Sequence, residues 1–515
     1  MDSLYSRTLI REERIKEQGY NLVTIWECEW RKMLMRKPDL AYLVESFNVN
    51  ERLCIRDAFF GGRTNAIKLY HLVADDEEIY YVDYTSLYPY VCKYGMFPTN
   101  HPIIITSDFD WTLGSYFGVV QCSILPPRNL YHPVLPCRSK SGKLMFPLCA
   151  ECATNEDVGG CRCSDEKRTM FGTWSTLELQ KALELGYRLV AINEVYHYSE
   201  TTQYNKTTGE HGIFSEFIDF FLRIKQEASD FPDWVKNAQN PDKAADEYIE
   251  HYRKKEGISL NKQDIKKNPA LRSLAKLLLN SFWGKFGQND NYAKTEFICE
   301  PETYFTRIND CTKQCLDFNI ISEEIIQLDW ENDNLFLEDS IVSSDIHAVL
   351  VTAYARLKLY ELLEKLQKRV LYFDTDSVIF TQRRGEWSPA LGDCLGELTS
   401  ELSENDHIVE FVSGGPKQYA YKTLKGDQVC KIRGFSLNYK NSSIVHFDAL
   451  KDYVQNVQPY RLTTLVNPSK IVRNTDLYEI VSRQEGKLYR PVYSKRIVQD
   501  DYTTIPYGYD VEGGK

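Results

Sequence analysis

The sequence predicts an α+β chain with a carboxylate-tipped β-hairpin. Three stretches predict it. The runs Val370-Leu371-Tyr372-Phe373 and Val378-Ile379-Phe380 flank the polar break Asp374-Thr375-Asp376-Ser377. Apolar β-formers on both sides of a short break read as a hairpin. Glu78–Tyr84 (EIYYVDY) reads as a buried strand with Asp83 near its C-terminal end, and Thr85-Ser86-Leu87-Tyr88-Pro89 follows it, with Pro89 suited to open a helix. Asn268-Pro269 reads as an N-cap and a first-turn proline for a helix from Ala270 to about Lys285.

The chain has 515 residues, 43% hydrophobic and 26% charged, enough for more than one domain around a sizeable core. It has no apolar run of the roughly 18 residues that a bilayer span needs. The N-terminal MDSLYSRTLIREERIKEQ lacks a signal-peptide core. A soluble intracellular protein is expected, without a membrane partner; the nucleus is one candidate compartment. Its fourteen cysteines are then reduced thiols or metal ligands. The net charge of −11 taken whole argues against nucleic acid, but it is unevenly spread. Residues 296–345 hold thirteen acidic and two basic residues, a balance of −11, whereas 410–515 hold sixteen basic and eleven acidic, a balance of +5. Local charge decides a footprint, so a DNA partner stays open.

In chain order, Arg11–Gln18 is helical in pattern and Tyr20–Trp26 strand-like, leading to Glu27 and Glu29. A helix and then a strand ending in acids resembles the last part of a restriction-type nuclease fold; a linker is the plainer reading. Phe59-Phe60-Gly61-Gly62 is a glycine-pair loop, open to close approach by backbone or phosphate, or simply a turn. Asp83, at its strand end, is a helix cap or a ligand beside anion-receiving N–H groups. Cys149, Cys152, Cys161 and Cys163 share one loop and are a structural Zn²⁺ site or four free thiols. Helices are expected over Leu177–Leu185 and Phe214–Glu227, then a polar region to residue 267.

On the helix from Ala270, the stripe Leu271, Leu274, Ala275, Leu278 and Phe282 is the expected buried face. Arg272, Lys276, Asn280 and Trp283 lie in another arc. Two cations, an amide and an indole suit a nucleoside triphosphate. Asp345–Gln367 is helical in pattern. The carboxylates at the hairpin tip are a solvated turn or a Mg²⁺ site, since that ion takes one or two carboxylates plus substrate phosphates. Ser413–Tyr421 reads as a turn entering a strand, with Lys417 and Tyr419 on one face.

Asp83-x-x-Ser86-Leu87-Tyr88-Pro89, Lys276-x-x-x-Asn280-Ser281-x-x-Gly284 and Tyr372-x-Asp374-Thr375-Asp376-Ser377, in that order, resemble the three polymerase motifs of the family B DNA polymerases. Lys417-x-Tyr419 resembles that family's primer-gripping element, and Phe59-x-Gly61-Gly62 the loop joining its editing and polymerising modules. The resemblance runs from about residue 55 to about 440. It is nearest the protein-primed subgroup of bacteriophages, adenoviruses, linear plasmids and Maverick (Polinton) transposons, the Maverick type above all.

The resemblance implies a right hand with an antiparallel palm sheet. It implies a remnant of an upstream region over 1–55, palm over 56–96 and 342–419, and fingers over 251–290. An insertion would fill 97–250, with its cysteine loop at 149–163, and a second, acidic one 291–341; 420–515 would be thumb and C-terminal extension. Asp83 and Asp376 would hold two Mg²⁺ ions, with Mn²⁺ able to substitute, and Asp374 would support them. Lys276 and Arg272 would take the triphosphate near Ser86 and Leu87. Tyr88 would lie under the sugar, and Asn280 and Trp283 would line the base pair. Lys417 and Tyr419 would hold the primer, and Phe59, Gly61 and Gly62 would approach the template. The partners would be DNA, dNTPs and a terminal priming protein, and the chain a monomer. Trp283 and Phe59 stand where the family usually has tyrosine. The editing exonuclease's acidic motifs are not found upstream of the glycine loop, so the resemblance implies a fragmentary chain that does not proofread. The alternative to an active polymerase is a catalytically inactive, transposon-derived remnant that only binds nucleic acid.

Overall fold

One antiparallel sheet and one buried helix organise the larger part of the chain. The computed structural model describes residues 2–17, 19, 21–37, 39–40, 52–289, 291–333, 343–435, 437–456, 463–474, 479–489 and 493–510. Gln18, Tyr20, residues 41–51, the acidic segment's end at 334–341 and the last five residues lie outside the described residues. The chain divides into two units, Met1–Arg52 and Leu53–Lys515.

The first unit carries helices Asp2–Glu17 and Glu27–Arg36. Residues 21–26 have no regular structure, so the expected strand is not formed there. Glu27 and Glu29 sit in a helix's first turn, where carboxylates favour the positive end of the helix dipole. The strand that the nuclease-like reading needs to carry them is missing.

In the second unit the main sheet runs, in spatial order, Thr64–Ala66, Val370–Asp374, Ser377–Arg383, Glu77–Tyr84, Ile408–Gly415, Gln418–Thr423 and Gln428–Ile432. Tyr70–Leu72 and Leu398–Ser400 add to it at the side. The expected hairpin forms with Asp374 opposite Ser377, and Ser377 in turn opposes Asp83. Alternate side chains face two cores. Val82, Tyr84, Phe373, Val378 and Phe380 point to one, and Ile79, Tyr81, Tyr372 and Ile379 to the other. Each fully buried aliphatic or aromatic side chain contributes about 1.5–3 kcal/mol. Both faces being covered explains the unbroken apolar runs in the sequence.

Helix Asp345–Leu366 fills the first core, with buried residues on every side of it. Arg356 is its one buried cation. Its Nε and Nη2 bind Glu178 at 2.7 and 2.9 Å, and its Nη1 donates to the carbonyls of Phe60 and Gly61 at 2.5 and 3.0 Å. One guanidinium thus ties the glycine loop, the central helix and the insertion together. Helix Phe447–Gln455 covers the second core.

The stretch expected as an insertion, 97–250, forms its own four-stranded sheet and carries helices Thr176–Glu184 and Ser215–Glu227, and helix Pro241–Glu256 runs across its expected end at 250. The last lies in the stretch read as merely polar. The acidic segment folds as a three-stranded sheet with helix Pro301–Ile308 around Ile298, Leu328 and Trp330. The main sheet continues to Ile432, so a palm boundary at 419 cuts its last strands. Pro416 and Lys417 form the turn between two strands, and Ser413 to Gly415 belong to the first of them.

Candidate active site

The hairpin tip is built from the backbone outward. Thr375 takes the left-handed region at φ 63°, and its N–H donates to the carbonyl of Arg63 at 2.8 Å. Gly62 allows that approach. A Cβ there would stand 2.8 Å from Thr375 Cγ2 and 3.2 Å from Tyr88 Oη. The second glycine of the pair therefore serves the hairpin. A Cβ at Gly61 would meet nothing within 4 Å. Phe59 is half-buried, its ring packed 2.6 Å from where a Cβ of Gly287 would stand. Its aromatic ring is a packing element between the loop and the end of the expected fingers segment.

Strand pairing brings Asp83, Asp374 and Asp376 to one end of the sheet, although almost three hundred residues separate Asp83 from Asp374 in the sequence. Tyr84 N–H donates to the Asp376 carbonyl at 2.8 Å. Burial, then the charge of Asp376, pushes the Asp83 carboxyl up to about 7. Burial, then Asp374, pushes Asp376 up to about 6. Asp374 is held apart: Thr64 Oγ1 donates to it at 2.7 Å and Lys417 Nζ at 2.6 Å. The three carboxylates do not converge to ligand spacing. Among the described residues only the four cysteines bring three or more ligating atoms within 4.8 Å of one another. Hard oxygen donors that are half-buried and mutually repelling are nonetheless the donor set for a small divalent cation, whose charge removes both penalties.

Above the carboxylates stands helix Pro269–Ser281, capped by Asn268 Oδ1, which accepts from Leu271 N–H at 3.1 Å. Its C-terminal turn, Phe282–Lys285, is a 3₁₀ helix. Arg272, Lys276 and Asn280 are exposed on it. The predicted buried stripe is shifted. Ala275 and Leu279 are buried, and Leu278 and Phe282 half-buried, but Leu271 and Leu274 are 42% and 52% exposed. The helix packs on Ser215–Glu227 along one side, so its first turns stay bare. Tyr88 and Trp283 stack with ring centroids 4.5 Å apart and planes 4° apart. Trp283 Nε1 is buried without a hydrogen-bond partner in the chain. Leu87 is a core side chain, and Ser86, at φ 54°, occupies the N-cap position of helix Leu87–Tyr94 without a side-chain capping bond. Asp83 is therefore not the cap.

Tyr419 corrects the same-face reading. It is 5% exposed, and its hydroxyl pairs with that of Tyr81 at 2.9 Å. Lys417 lies outside that strand at φ 61°, directed at Asp374. A buried ring offers no surface to a primer strand, so the expected primer contact of Tyr419 is not presented.

Four charged groups were not read from the sequence. Lys225 Nζ donates to Ser86 Oγ at 3.1 Å. Burial, then Arg272 and Lys276, brings its pKa down to about 8. Glu401 raises both Asp83 and Asp376, and Lys431 lowers Asp83. Lys495 is held below its ordinary value by burial, with Asp374 opposing that shift. Lys225 belongs to a correctly predicted helix, yet only long-range packing turns it toward Arg272 and Lys276.

Residues 29–239 and 239–367 match the family model described as DNA polymerase type B, organellar and viral. A probable DNA polymerase of Neurospora intermedia is 24% identical over 413 residues, covering 77% of this chain and 34% of that protein. A probable DNA polymerase of Agaricus bitorquis is 22% identical over 442 residues, covering 79% of this chain and 45% of that protein. The chain thus spans less than half of these curated relatives. The structure of Phi29 DNA polymerase complexed with primer-template DNA and incoming nucleotide substrates superposes with a TM-score of 0.51 at 16% identity, over 93% of this chain and 69% of that one. The fold is that of the right-hand polymerases. No described helix is long and apolar enough to cross a membrane.

The raised carboxyl of Asp83 has a measurable consequence. Its folded pKa, about 7, exceeds its ordinary value of 3.8. A group of that kind costs nothing when protonated in both states and costs most above its folded pKa. Discounted for its remaining solvent contact, the cost is on the order of 1 kcal/mol. Asp83→Asn is therefore expected to raise the thermal midpoint of the metal-free protein at a pH of about 8, with the gain fading toward a pH of about 4. Thermal melts in chelator across that range test it; a gain independent of pH would contradict the assignment.

Proposed function

The chain belongs to the organellar and viral type B DNA polymerases, and from that membership we propose that it adds deoxynucleotides to a primer 3′-OH on a DNA template. The observation that carries the proposal is a pairing of opposites. Asp83 and Asp376 stand half-buried together at the sheet end, and Lys276 acts electrostatically on Asp83 from the facing helix. A metal-bound nucleoside triphosphate satisfies both halves at once.

Asp83 and Asp376 would hold two divalent ions, Mg²⁺ in the first place, with Asp374 in support. When bound, such ions lower the pKa of an attacking hydroxyl and neutralise a departing pyrophosphate. The chain's own residues supply alignment and charge, which account for most of the catalysis in phosphoryl transfer. Lys276, Arg272 and Lys225 bind the triphosphate. Repulsion among the three cations in the free protein favours an anion between them. The Tyr88–Trp283 stack forms a flat floor, with Tyr88 under the sugar as a steric barrier to a 2′-OH. Asn280 and Trp283 line the base. Template sequence is read by base pairing, so contacts to DNA are mostly to phosphate and sugar. We propose further that initiation uses a hydroxyl of a terminal protein, as the subgroup resemblance suggests, in replication of a mobile element or virus.

Primer extension on a defined template with Mg²⁺ and dNTPs tests the reaction. The wild type is expected to extend, and Asp376→Ala to lose at least about a thousandfold in turnover, the scale of removing a transition-state charge stabiliser. No extension by the wild type would contradict the proposal and favour a remnant that only binds nucleic acid. In the same assay, Lys225→Met is expected to raise the KM for dNTP about tenfold, equivalent to about 1.4 kcal/mol of binding. Tyr88→Ala is expected to admit ribonucleotides; unchanged sugar selectivity would refute that role.

A further inference from the structure

We propose that Cys149, Cys152, Cys161 and Cys163 hold one structural Zn²⁺, and that this ion locks the C-terminal segment 493–510 against the strand beside the catalytic hairpin. The four sulfurs lie within 4.8 Å of one another, and Cys152 Sγ stands 3.7 Å from Cys163 Sγ. A tetrahedron with Zn–S bonds of about 2.3 Å has sulfurs about 3.8 Å apart. A disulfide would need about 2.05 Å, so these thiols sit at ligand spacing and not at bonding distance. Cys149 caps helix Ala150–Asn155, and its sulfur accepts from the Cys152 N–H at 3.4 Å. That bond stabilises a sulfur carrying negative charge, as a ligating thiolate does. Cys149 and Cys152 are buried among Met145, Ala153, Ile497 and Tyr507, which keeps water from competing. All four positions of a tetrahedron are filled by protein, which makes the site structural.

Two of those neighbours come from the far end of the chain. Leu148 N–H donates to the Tyr507 carbonyl at 2.7 Å. Gly508, at φ 88°, lies so close that a Cβ would stand 2.5 Å from Cys149 Cβ. Arg128 Nη2 donates to the Cys163 carbonyl at 3.2 Å, while the Arg128 carbonyl accepts from Asp510 N–H at 2.8 Å. The same segment then reaches the main sheet. Tyr493 Oη donates to Asn65 Oδ1 at 2.8 Å and to the Ala66 carbonyl at 2.7 Å, and Thr504 N–H donates to the Ile67 carbonyl at 2.8 Å. Asn65 and Ala66 pair with Phe373 and Tyr372, next to Asp374. The cysteine loop, the segment and the hairpin's neighbouring strand therefore form one connected chain of contacts. The ion is a positioning element in it and touches no reacting atom.

Elemental analysis of the full chain, purified under reducing conditions, is expected to give about one zinc per chain. The wild type exchanged with Co²⁺ is expected to show the intense red-region bands of a tetrahedral site and thiolate charge transfer in the near ultraviolet. Absent zinc, bound iron with its own visible absorbance, or a weak octahedral cobalt spectrum would each overturn the site. Stripping zinc with a mercurial is expected to increase protease cleavage within 493–510 at least severalfold. Unchanged cleavage after complete zinc release would overturn the coupling. These readouts do not depend on polymerase activity.

Discussion

Asp83 and Asp376 are held together in a partly dry place where neither is comfortable as an anion, and much of the surrounding architecture exists to keep them there. Strand pairing sets their separation: Asp83 opposes Ser377, one residue from Asp376. Nothing local would do so, because the strands are brought together only by burying both faces of the sheet. The central helix and the insertion cover one face and helix Phe447–Gln455 the other. Arg356 links that cover to the glycine loop, and the loop receives the hairpin turn through Arg63 and Gly62. Carboxylates gathered this closely repel one another and cost stability, and on the proposed reading a bound cation would offset that cost.

The cation side follows the same logic. Lys225, Arg272 and Lys276 come from two packed helices, and burial first, then their repulsion, lowers the pKa of Lys225. Meanwhile Lys417 already neutralises Asp374. Of the three aspartates, Asp374 is thus the one with a resident partner, whereas Asp83 and Asp376 keep their demand for positive charge. This difference supports the ranking of Asp83 and Asp376 as principal ligands and Asp374 as auxiliary.

Much of this was legible in the sequence where a signal is local. The hairpin at 370–383, the strand with Asp83 near its end, the Asn268-Pro269 helix start and the long helix from Asp345 all follow from patterning and caps. Asn240-Pro241 carries the same start signal as Asn268-Pro269, with Asn240 accepting from Lys243 N–H, but its charged helix falls in the stretch read only as polar. What long-range packing decides was not legible. Tyr419 looked like a presented ring and is a core one, because alternation along a strand does not say which face is covered. Nor does the sequence show that Gly62 leaves room for Thr375. The first turns of the helix bearing Lys276 looked buried and are bare. The docking of residues 493–510 against the cysteine loop has no local signature at all.

The central claim, that Asp83 and Asp376 together form a divalent-metal site completed by the incoming nucleotide, is tested most directly by counting ions. Mn²⁺ titration followed by electron paramagnetic resonance, with primer–template and a non-hydrolysable dNTP, should show about two ions bound per chain. In Asp83→Asn at least one of them should be lost, while the zinc content stays unchanged. Wild-type stoichiometry and affinity in Asp83→Asn would contradict the account.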